Sequence, residues 1–478
     1  MIFSNAVFWM RQDLRLADNP ALMAALEESK SLILLYMLEE DPVIRPRGAA
    51  SKWWLHHGLK SLQTAILEKG GALIIRKGVV KESIPAFLEE VKADAIFWNR
   101  CYEPAMIDRD THLKTTLQNK KITVKTFKSA LLHEPWTIKT YSVFTPYWKK
   151  LQDQPIPSPL AAPDFLTKTQ NFLFSEKLED LDLLPVSPDW AGGLRDTWDV
   201  SEAAAINRLD RFLAEKISFY AEERDRPDTF STSKLSPFLA LGLISPRQIW
   251  DKSHQEIALN PSKKTAIDKF LSEVGWREFS YHLLFHFPTL PDKNLRKNFD
   301  AFPWQPDPIA LKAWQQGKTG YPIIDAGMRE LWHTGWMHNR VRMLVASFLI
   351  KHLLIPWQQG EAWFWDTLVD ADLASNSASW QWVAGCGADA APYFRIFNPI
   401  TQAQKFDPEG LYVKKWVPEL RKLPAPQLHE PWNCSISVLK EADVRLGKDY
   451  PLPLINHKTA RDRALAAFAQ IKGNTNPL

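Results

Sequence analysis

Cysteine is scarce in this 478-residue chain: Cys101, Cys386 and Cys434 are all there is, and they stand far apart. That excludes a disulfide-stapled scaffold and a Cys-x-x-Cys metal site, so reduced thiols in a cytoplasmic protein are expected, with no metal centre. Long apolar runs are missing too. Every run is shorter than the roughly 20 residues that a membrane-spanning helix needs. The start, Met1-Ile2-Phe3-Ser4-Asn5, has no basic stretch followed by an apolar core, so no secretory leader is expected. One-sided charge is also absent. With 59 Lys and Arg against 55 Asp and Glu, the net charge of +4 announces no nucleic-acid partner by itself, because such a surface depends on where the charge sits. The chain has neither an internal repeat nor a low-complexity tract.

What it does have is tryptophan, 21 in number, beside hydrophobic (45%) and charged (24%) shares that are ordinary for a globular protein. Most of these indoles read as core filling. A further meaning arises only where single Trp residues fall beside other chemistry. The length exceeds one ordinary core and predicts two domains of different character.

The first domain, residues 1–130, alternates short β-rich runs with amphipathic helices. Ala6–Met10, Leu32–Tyr36, Ala72–Ile75 and Ala95–Trp98 read as buried strands, separated by helical patterns such as Trp53–Leu67 and Ile84–Val91. This alternation predicts an α/β fold, a Rossmann-like parallel sheet with crossover helices. Ligands of such sheets bind at the strands' carboxyl ends, so the loops Arg11–Arg15, Glu39–Gly48 and Asn99–Glu103 are candidate pocket walls. Residues 131–200, with Pro155, Pro157, Pro159, Pro163, Pro185 and Pro188, read as a Pro-stiffened interdomain linker draped over the surface. From 201 to 478 the strand signal is gone. Helical patterns at Glu202–Ala221, Pro237–Leu243, Pro246–Glu256, Thr265–Phe285, Ile324–Leu331 and Met337–Leu354 predict an all-α domain.

Three clusters in the helical half carry chemistry. Thr232-Ser233-Lys234-Leu235-Ser236-Pro237 offers hydroxyls, backbone N–H groups and a cation just before a helix, which suits a phosphate; an ordinary helix cap is the plain alternative. Glu273, Trp276 and Arg277 stand at i, i+3 and i+4 and share one helix face, where a carboxyl group and an indole suit a base edge and a base face; core plus surface is the plain alternative. Asp370 and Asp372 flank Ala371, with Asn376 and Trp380 one helical turn apart beyond them.

Gly335-Trp336-Met337-His338-Asn339-Arg340-Val341-Arg342-Met343 resembles a signature of the photolyase/cryptochrome family. So do Asp370-Ala371-Asp372-Leu373-Ala374-Ser375-Asn376, Trp380-Gln381-Trp382 and Tyr393-Phe394-Arg395-Ile396-Phe397-Asn398-Pro399. Trp9-Met10-Arg11-Gln12-Asp13-Leu14-Arg15 with Asp18-Asn19-Pro20 resembles the family's first strand and turn, Met10 standing where Phe is usual. The resemblance runs nearly the whole chain, in order. It implies an α/β antenna-binding domain followed by a helical FAD-binding catalytic domain. It also implies a light-driven lyase that repairs cyclobutane pyrimidine dimers in UV-damaged DNA, by electron transfer from excited reduced FAD to a flipped-out dimer.

By the same resemblance, Tyr220, Thr232, Ser233, Lys234, Leu235 and Ser236 hold FAD together with Arg342, Asp370, Ala371 and Asp372, while Asn376 faces flavin N5. Trp380, Trp357 and Trp304 match an electron-relaying triad, and Trp314, Trp332, Trp363 and Trp365 read as structural. Glu273 is implied to bind the dimer's carbonyl and N–H groups, and Trp276 to stack on it. Asn339 and Met343 wall the pocket, and Trp382, Arg224, Arg277, Arg340 and Arg395 contact DNA. Residue identity narrows the chemistry. Enzymes for (6-4) lesions have histidines where Asn339 and Met343 stand, and without an imidazole their proton transfer lacks its agent. Asn376 is the photolyase-like choice where cryptochromes tend to carry Asp or Cys. A cryptochrome photoreceptor and a (6-4) photolyase are the alternatives, the first weighed against the lack of a long polar tail after about Lys472. Arg47–Leu55 resembles a segment of plant cryptochromes and class III photolyases, some of which bind methenyltetrahydrofolate. That folate is favoured over a deazaflavin as second chromophore, with Arg11, Glu39, Glu40, Trp53 and Glu103 as its candidate contacts, although Trp53-Trp54 also reads as core. A monomer with no protein partner is expected.

Overall fold

The computed structural model describes residues 2–166, 173–393 and 395–471. Phe394 and the stretch from Lys472 onward lie outside the described residues.

Five parallel strands, β1 (Phe3–Met10), β2 (Ser29–Glu39), β3 (Leu73–Gly78), β4 (Ala95–Asn99) and β5 (Thr123–Phe127), form one sheet in the order β3-β2-β1-β4-β5. They are joined by α1 (Pro20–Glu28), α2 (Ala49–Glu68), α3 (Val80–Glu90) and α4 (Pro104–Asn119). Four strands coincide with the apolar runs of the sequence. The fifth is an exposed to half-buried edge strand, Thr-Val-Lys-Thr-Phe, and so leaves no apolar run to read.

Strand periodicity sorts the side chains into two layers. Val7, Trp9, Ile33, Leu35, Ile96 and Trp98 pack with Ile84, Phe87 and Leu88 of α3 and Leu113 and Leu117 of α4. The alternate set, Phe8, Met10, Leu34 and Phe97, packs with Trp53, Trp54, Leu55 and Leu59 of α2 in a cluster that continues into Phe238, Ile249, Phe270 and Phe279 of the helical half. One hydrophobic core therefore crosses from the sheet into the helices.

Polar groups are buried at this crossing. The Asp18 carboxylate is fully buried and takes Arg247 and the Ser245 hydroxyl. Arg15 is equally buried and donates to the carbonyl oxygens of Gly242 (2.8 Å) and Asp18 (2.8 Å). Glu202 accepts from the backbone N–H groups of Leu16 (2.8 Å) and Ala17 (2.9 Å). The Asp13-Leu14-Arg15…Asp18 motif is thus a joint between the two halves.

Residues 131–200 are less structureless than their proline content suggests. They carry α5 (Phe144–Gln152) and a short helix, Gly192–Thr197. Phe144, Tyr147 and Leu151 of α5 form a buried stripe at i, i+3 and i+7, short enough to be hidden among the prolines. The segment is fastened to the sheet half by backbone bonds, Asp18 N–H to Leu160 O (2.8 Å), Leu166 N–H to Lys69 O (2.8 Å) and Glu176 N–H to Ile75 O (2.9 Å).

Beyond it come helices Glu202–Arg211, Ile217–Glu223, Ser236–Ala240, Pro246–Leu259, Lys264–His286, Pro322–Thr334, Asn339–Ser347, Trp357–Thr367 and Leu373–Ala384, among others. The helix expected from Met337 starts at Asn339, because the His338 ring accepts the Arg340 N–H and caps it. Among the described residues no helix is long and apolar enough to cross a membrane.

Helix Lys264–His286 buries Glu278 against the start of the connecting segment. Its carboxylate accepts the Leu132 N–H at 2.9 Å, and burial pushes its pKa up to about 7. The unfolded chain releases this proton near 4.5, the folded one only near 7, so wild-type stability falls as pH rises through that window. Glu278→Gln keeps an acceptor and removes the charge. The expected outcome is a variant more stable than wild type at pH 8, by roughly 3 kcal/mol at most, with the advantage vanishing toward pH 4.5. Denaturant melts of both proteins across this range check it; a variant less stable at pH 8 overturns it.

Candidate functional site

Helices and one loop of the helical half line a cleft of about 580 Å³. Helix Lys264–His286 presents Lys269, Glu273, Trp276, Arg277 and Ser280 to it, one face at helical spacing. Helix Asn339–Ser347 presents Asn339, Arg340, Arg342 and Met343, and helix Leu373–Ala384 presents Ser375, Asn376, Trp380 and Trp382. The loop Thr232–Ser236 and Tyr220, on helix Ile217–Glu223, complete the lining. Residues from Tyr220 to Ala388 thus share one space, whose size suits a cofactor or drug-sized ligand.

In the loop, Lys234 adopts a left-handed backbone conformation (φ 51°). Its ammonium lies 4.5 Å from the Trp336 ring centroid, and burial holds its pKa below the usual lysine range. The Ser236 hydroxyl donates to Asp370 Oδ2 at 2.6 Å, and Arg342 donates to the same oxygen at 2.8 Å. The other oxygen, Oδ1, is buried and has no hydrogen-bond partner. Asp372, by contrast, is taken up by the protein. One oxygen accepts the Ser375 N–H at 2.7 Å and caps the helix, and the other accepts the Tyr281 hydroxyl.

Asn376 turns both amide hydrogens to Glu361, donating to its backbone oxygen at 3.1 Å and to Oε1 at 2.8 Å. Trp380, one turn on, is buried, with no partner for its indole N–H. Its ring lies so close to Gly360 that a Cβ there would stand 2.1 Å from Cη2, so a side chain at 360 would displace the indole. Trp357 is fully buried and donates its indole N–H to Asn294 at 2.8 Å, whereas Trp304 is half-buried beside Phe302 at 4.4 Å. Neither lines the cleft, and the three indoles grade from interior to surface.

Beside Tyr220, whose ring centroid lies 5.6 Å from the Arg224 guanidinium, Glu273 pairs with Arg224, and Arg340 pairs with Asp225 at 2.6 Å. For Arg224, burial lowers the pKa, but the bond to Glu273 and the neighbouring Tyr220, Glu273 and Asp225 together outweigh it and hold the guanidinium charged. Arg277 donates to the Ala130 carbonyl at 2.8 Å. Three of the arginines expected on DNA are therefore already paired within the protein, and Arg395 is exposed, outside the cleft. Trp276 stacks on Phe144 of α5 at 3.9 Å between centroids and 9° between planes. That leaves it one free face. Phe144 and Glu361 are parts of this arrangement that sequence reasoning missed: one sits in the Pro-rich connector, the other is one more carboxylate on an amphipathic helix.

The second-chromophore candidates lie apart, around the carboxyl ends of β1, β2 and β4. Arg11, expected to meet a chromophore, is instead bound to Asp110 and the Asn99 carbonyl, and Glu39 instead accepts Arg109 at 2.9 Å. Trp53 is part of the core, Glu40 is exposed, and the buried Glu103 accepts the Gln12 amide at 3.1 Å. The end of the β2–α2 loop and the first residue of α2, from Arg45 to Ala49, face helix Trp357–Thr367.

A two-domain protein with a parallel-sheet half and a helical half holding an internal cofactor cleft is the class that this fold and site define. Family comparison agrees: residues 6–164 match a DNA photolyase model and residues 270–470 match the FAD-binding domain of DNA photolyase. A deoxyribodipyrimidine photo-lyase of Agrobacterium fabrum is 48% identical over 98% of both chains. Cryptochrome-2 of Arabidopsis thaliana is 35% identical over 98% of this chain and 79% of its own. The crystal structure of a bacterial class III photolyase from Agrobacterium tumefaciens superposes with a TM-score of 0.96, at 47% identity over 99% of each chain. The chain belongs to the photolyase/cryptochrome family.

The residues present fit FAD. The unpartnered Asp370 Oδ1 asks for a donor from a ligand, such as a flavin or ribose N–H or O–H, and the loop with Lys234 offers hydroxyls and a cation for phosphates. Asp370→Asn is expected to lower the flavin-to-protein ratio of purified protein and weaken FAD binding by roughly tenfold or more, the worth of a hydrogen bond to a charged group. Titration of the stripped protein with FAD checks this; unchanged affinity overturns it.

Proposed function

We propose that the protein repairs cyclobutane pyrimidine dimers in UV-damaged DNA in a light-driven reaction, using the cleft as both flavin site and lesion pocket. Bound reduced FAD supplies the electron that opens the dimer ring and recovers it afterwards. The observation that carries this reading is the combination of groups lining one cleft: Asp370, Arg342 and Asn376 together with Glu273, Trp276 and Trp382. No histidine lines the cleft among the described residues, which supports chemistry that moves an electron rather than a proton to the lesion.

The chain's own residues then have separable tasks. The free face of Trp276 and the indole of Trp382 offer stacking surfaces for a flipped-out pyrimidine dimer, while the carboxylate of Glu273, once turned from Arg224, accepts base N–H groups. Arg224 and Arg340 would exchange their carboxylate partners for DNA phosphates, making binding sensitive to salt. Trp380, Trp357 and Trp304 form the path by which an electron enters from the surface to restore the reduced cofactor. As second chromophore, methenyltetrahydrofolate rather than a deazaflavin is supported by the Arg47–Leu55 segment, with Glu103 a buried candidate contact whose carboxylate accepts only the Gln12 amide among the described residues. Fluorescence of chromophore extracted from purified protein distinguishes the two.

Glu273→Ala is expected to lower affinity for a thymine dimer, or the repair yield, by about tenfold or more while leaving FAD content unchanged. Dimer binding and light-dependent repair measured in parallel at fixed salt check this, and equal binding and yield remove Glu273 from the pocket. Wild type that photoreduces FAD but repairs nothing would be a photoreceptor instead.

Trp380→Phe is expected to abolish photoreduction of oxidised FAD and to leave repair by chemically reduced enzyme largely intact. Repair assays with and without dithionite pre-reduction separate these outcomes. Equal loss in both assigns Trp380 to structure.

A further inference from the structure

The amide of Asn376 is oriented from outside its own half of the molecule. Glu361, on helix Trp357–Thr367, presents two acceptors to it, a backbone carbonyl and Oε1, and an amide can meet two acceptors only with its NH₂ group. The carbonyl oxygen of Asn376 is thereby left for the cleft that this residue lines. Glu361 is itself held. Arg45, in the loop between β2 and α2, donates from Nη1 to Oε1 and from Nη2 to Oε2, both at 2.8 Å, a two-pronged contact that fixes the plane of the carboxylate. The carboxylate side chain is only 5% exposed, so the pair is shielded from water on that side.

The loop bearing Arg45 is anchored where it needs to be. The Arg45 guanidinium lies 4.3 Å from the Trp365 ring centroid, the Trp365 indole donates to the Pro46 carbonyl at 2.8 Å, and the Ala49 N–H donates to Asp366 at 2.9 Å. At Gly48 the backbones meet so closely that a Cβ would stand 2.1 Å from the Trp365 oxygen. No side chain fits there without moving the loop.

We infer that Arg45 of the sheet half is a positioning residue for the flavin site, acting through Glu361 to keep the Asn376 carbonyl, and not its NH₂, toward the cofactor. The inference rests on the reading of the cleft as a flavin site with Asn376 beside N5. A carbonyl oxygen facing N5 favours the protonated, reduced cofactor, whereas an NH₂ group favours the oxidised one. Arg45→Ala frees the carboxylate to rotate and lets the amide turn over. Lysine keeps the charge but cannot make the two-pronged contact.

The test is the reduction potential of FAD bound to wild type, Arg45→Ala, Arg45→Lys and Asn376→Asp, read by redox titration of the visible spectrum. Arg45→Ala is expected to lower the potential, shifting the reduced-to-oxidised ratio at a fixed poise by roughly three- to tenfold, with Arg45→Lys between it and wild type. Combined with Asn376→Asp, the Arg45→Ala effect is expected to disappear, because its target is gone. A potential unchanged by Arg45→Ala, in protein that holds FAD and whose Asn376→Asp variant does shift, overturns the inference. Failure of Asn376→Asp to shift the potential overturns instead the reading of Asn376 beside N5. Should Arg45→Ala fail to fold, Arg45→Lys alone decides: a potential equal to wild type overturns the inference.

Discussion

The buried pair of Asp18 and Arg247 sets the terms for the rest of the molecule. Both charges are out of water where the sheet meets the helices, and each is tolerable there only because the other is present, with Ser245 completing the partners of Asp18. Removing one partner of such a pair typically costs 3–5 kcal/mol. Arg15 and Glu202 add bonds to backbone groups across the same boundary. Because a buried ion pair accepts little change in geometry, the two halves meet in one orientation, and the apolar cluster around Trp54 and Phe238 fills the space this orientation leaves.

That fixed orientation has a consequence for the cleft. Its walls come from the helical half, yet Glu361, the residue that orients Asn376, takes its own geometry from Arg45 across the boundary. Phe144, which backs the Trp276 ring, comes from the connector between the halves. The cleft is also rich in charges that satisfy one another. Arg224 with Glu273, Arg340 with Asp225 and Arg342 with Asp370 leave few free charges until a ligand offers something better. Such pairs compensate the charges of the pocket within the protein itself. The exception is Asp370 Oδ1, buried without a donor, and this marks the point where a cofactor completes the protein.

Some of this was legible in the residues and some was not. Strands β1 to β4 show themselves as apolar runs because both of their faces are covered, whereas β5, at an edge and half exposed, does not. Helix Lys264–His286 was visible in its periodicity, and the shared face of Glu273, Trp276 and Arg277 follows from helical spacing alone. Arg11 and Glu39 looked free for a chromophore because their partners, Asp110 and Arg109, lie 99 and 70 residues away. A charge's availability depends on its neighbours in space, which local pattern does not report.

The amino-acid sequence by itself determined the α/β and all-α character of the two halves, the family to which the chain belongs, and which residue types stand at the cleft, since these follow from local periodicity and from motifs of adjacent residues. Tertiary structure alone decided which of those residues are free to act. Asp372 proved to be a helix cap held by Ser375 and Tyr281, Asn376 an amide turned by Glu361 and Arg45, and Trp276 an indole with one face already covered. The physical reason is that hydrogen bonds, ion pairs and stacking form between whichever groups folding brings within about 3–4 Å, regardless of their distance along the chain.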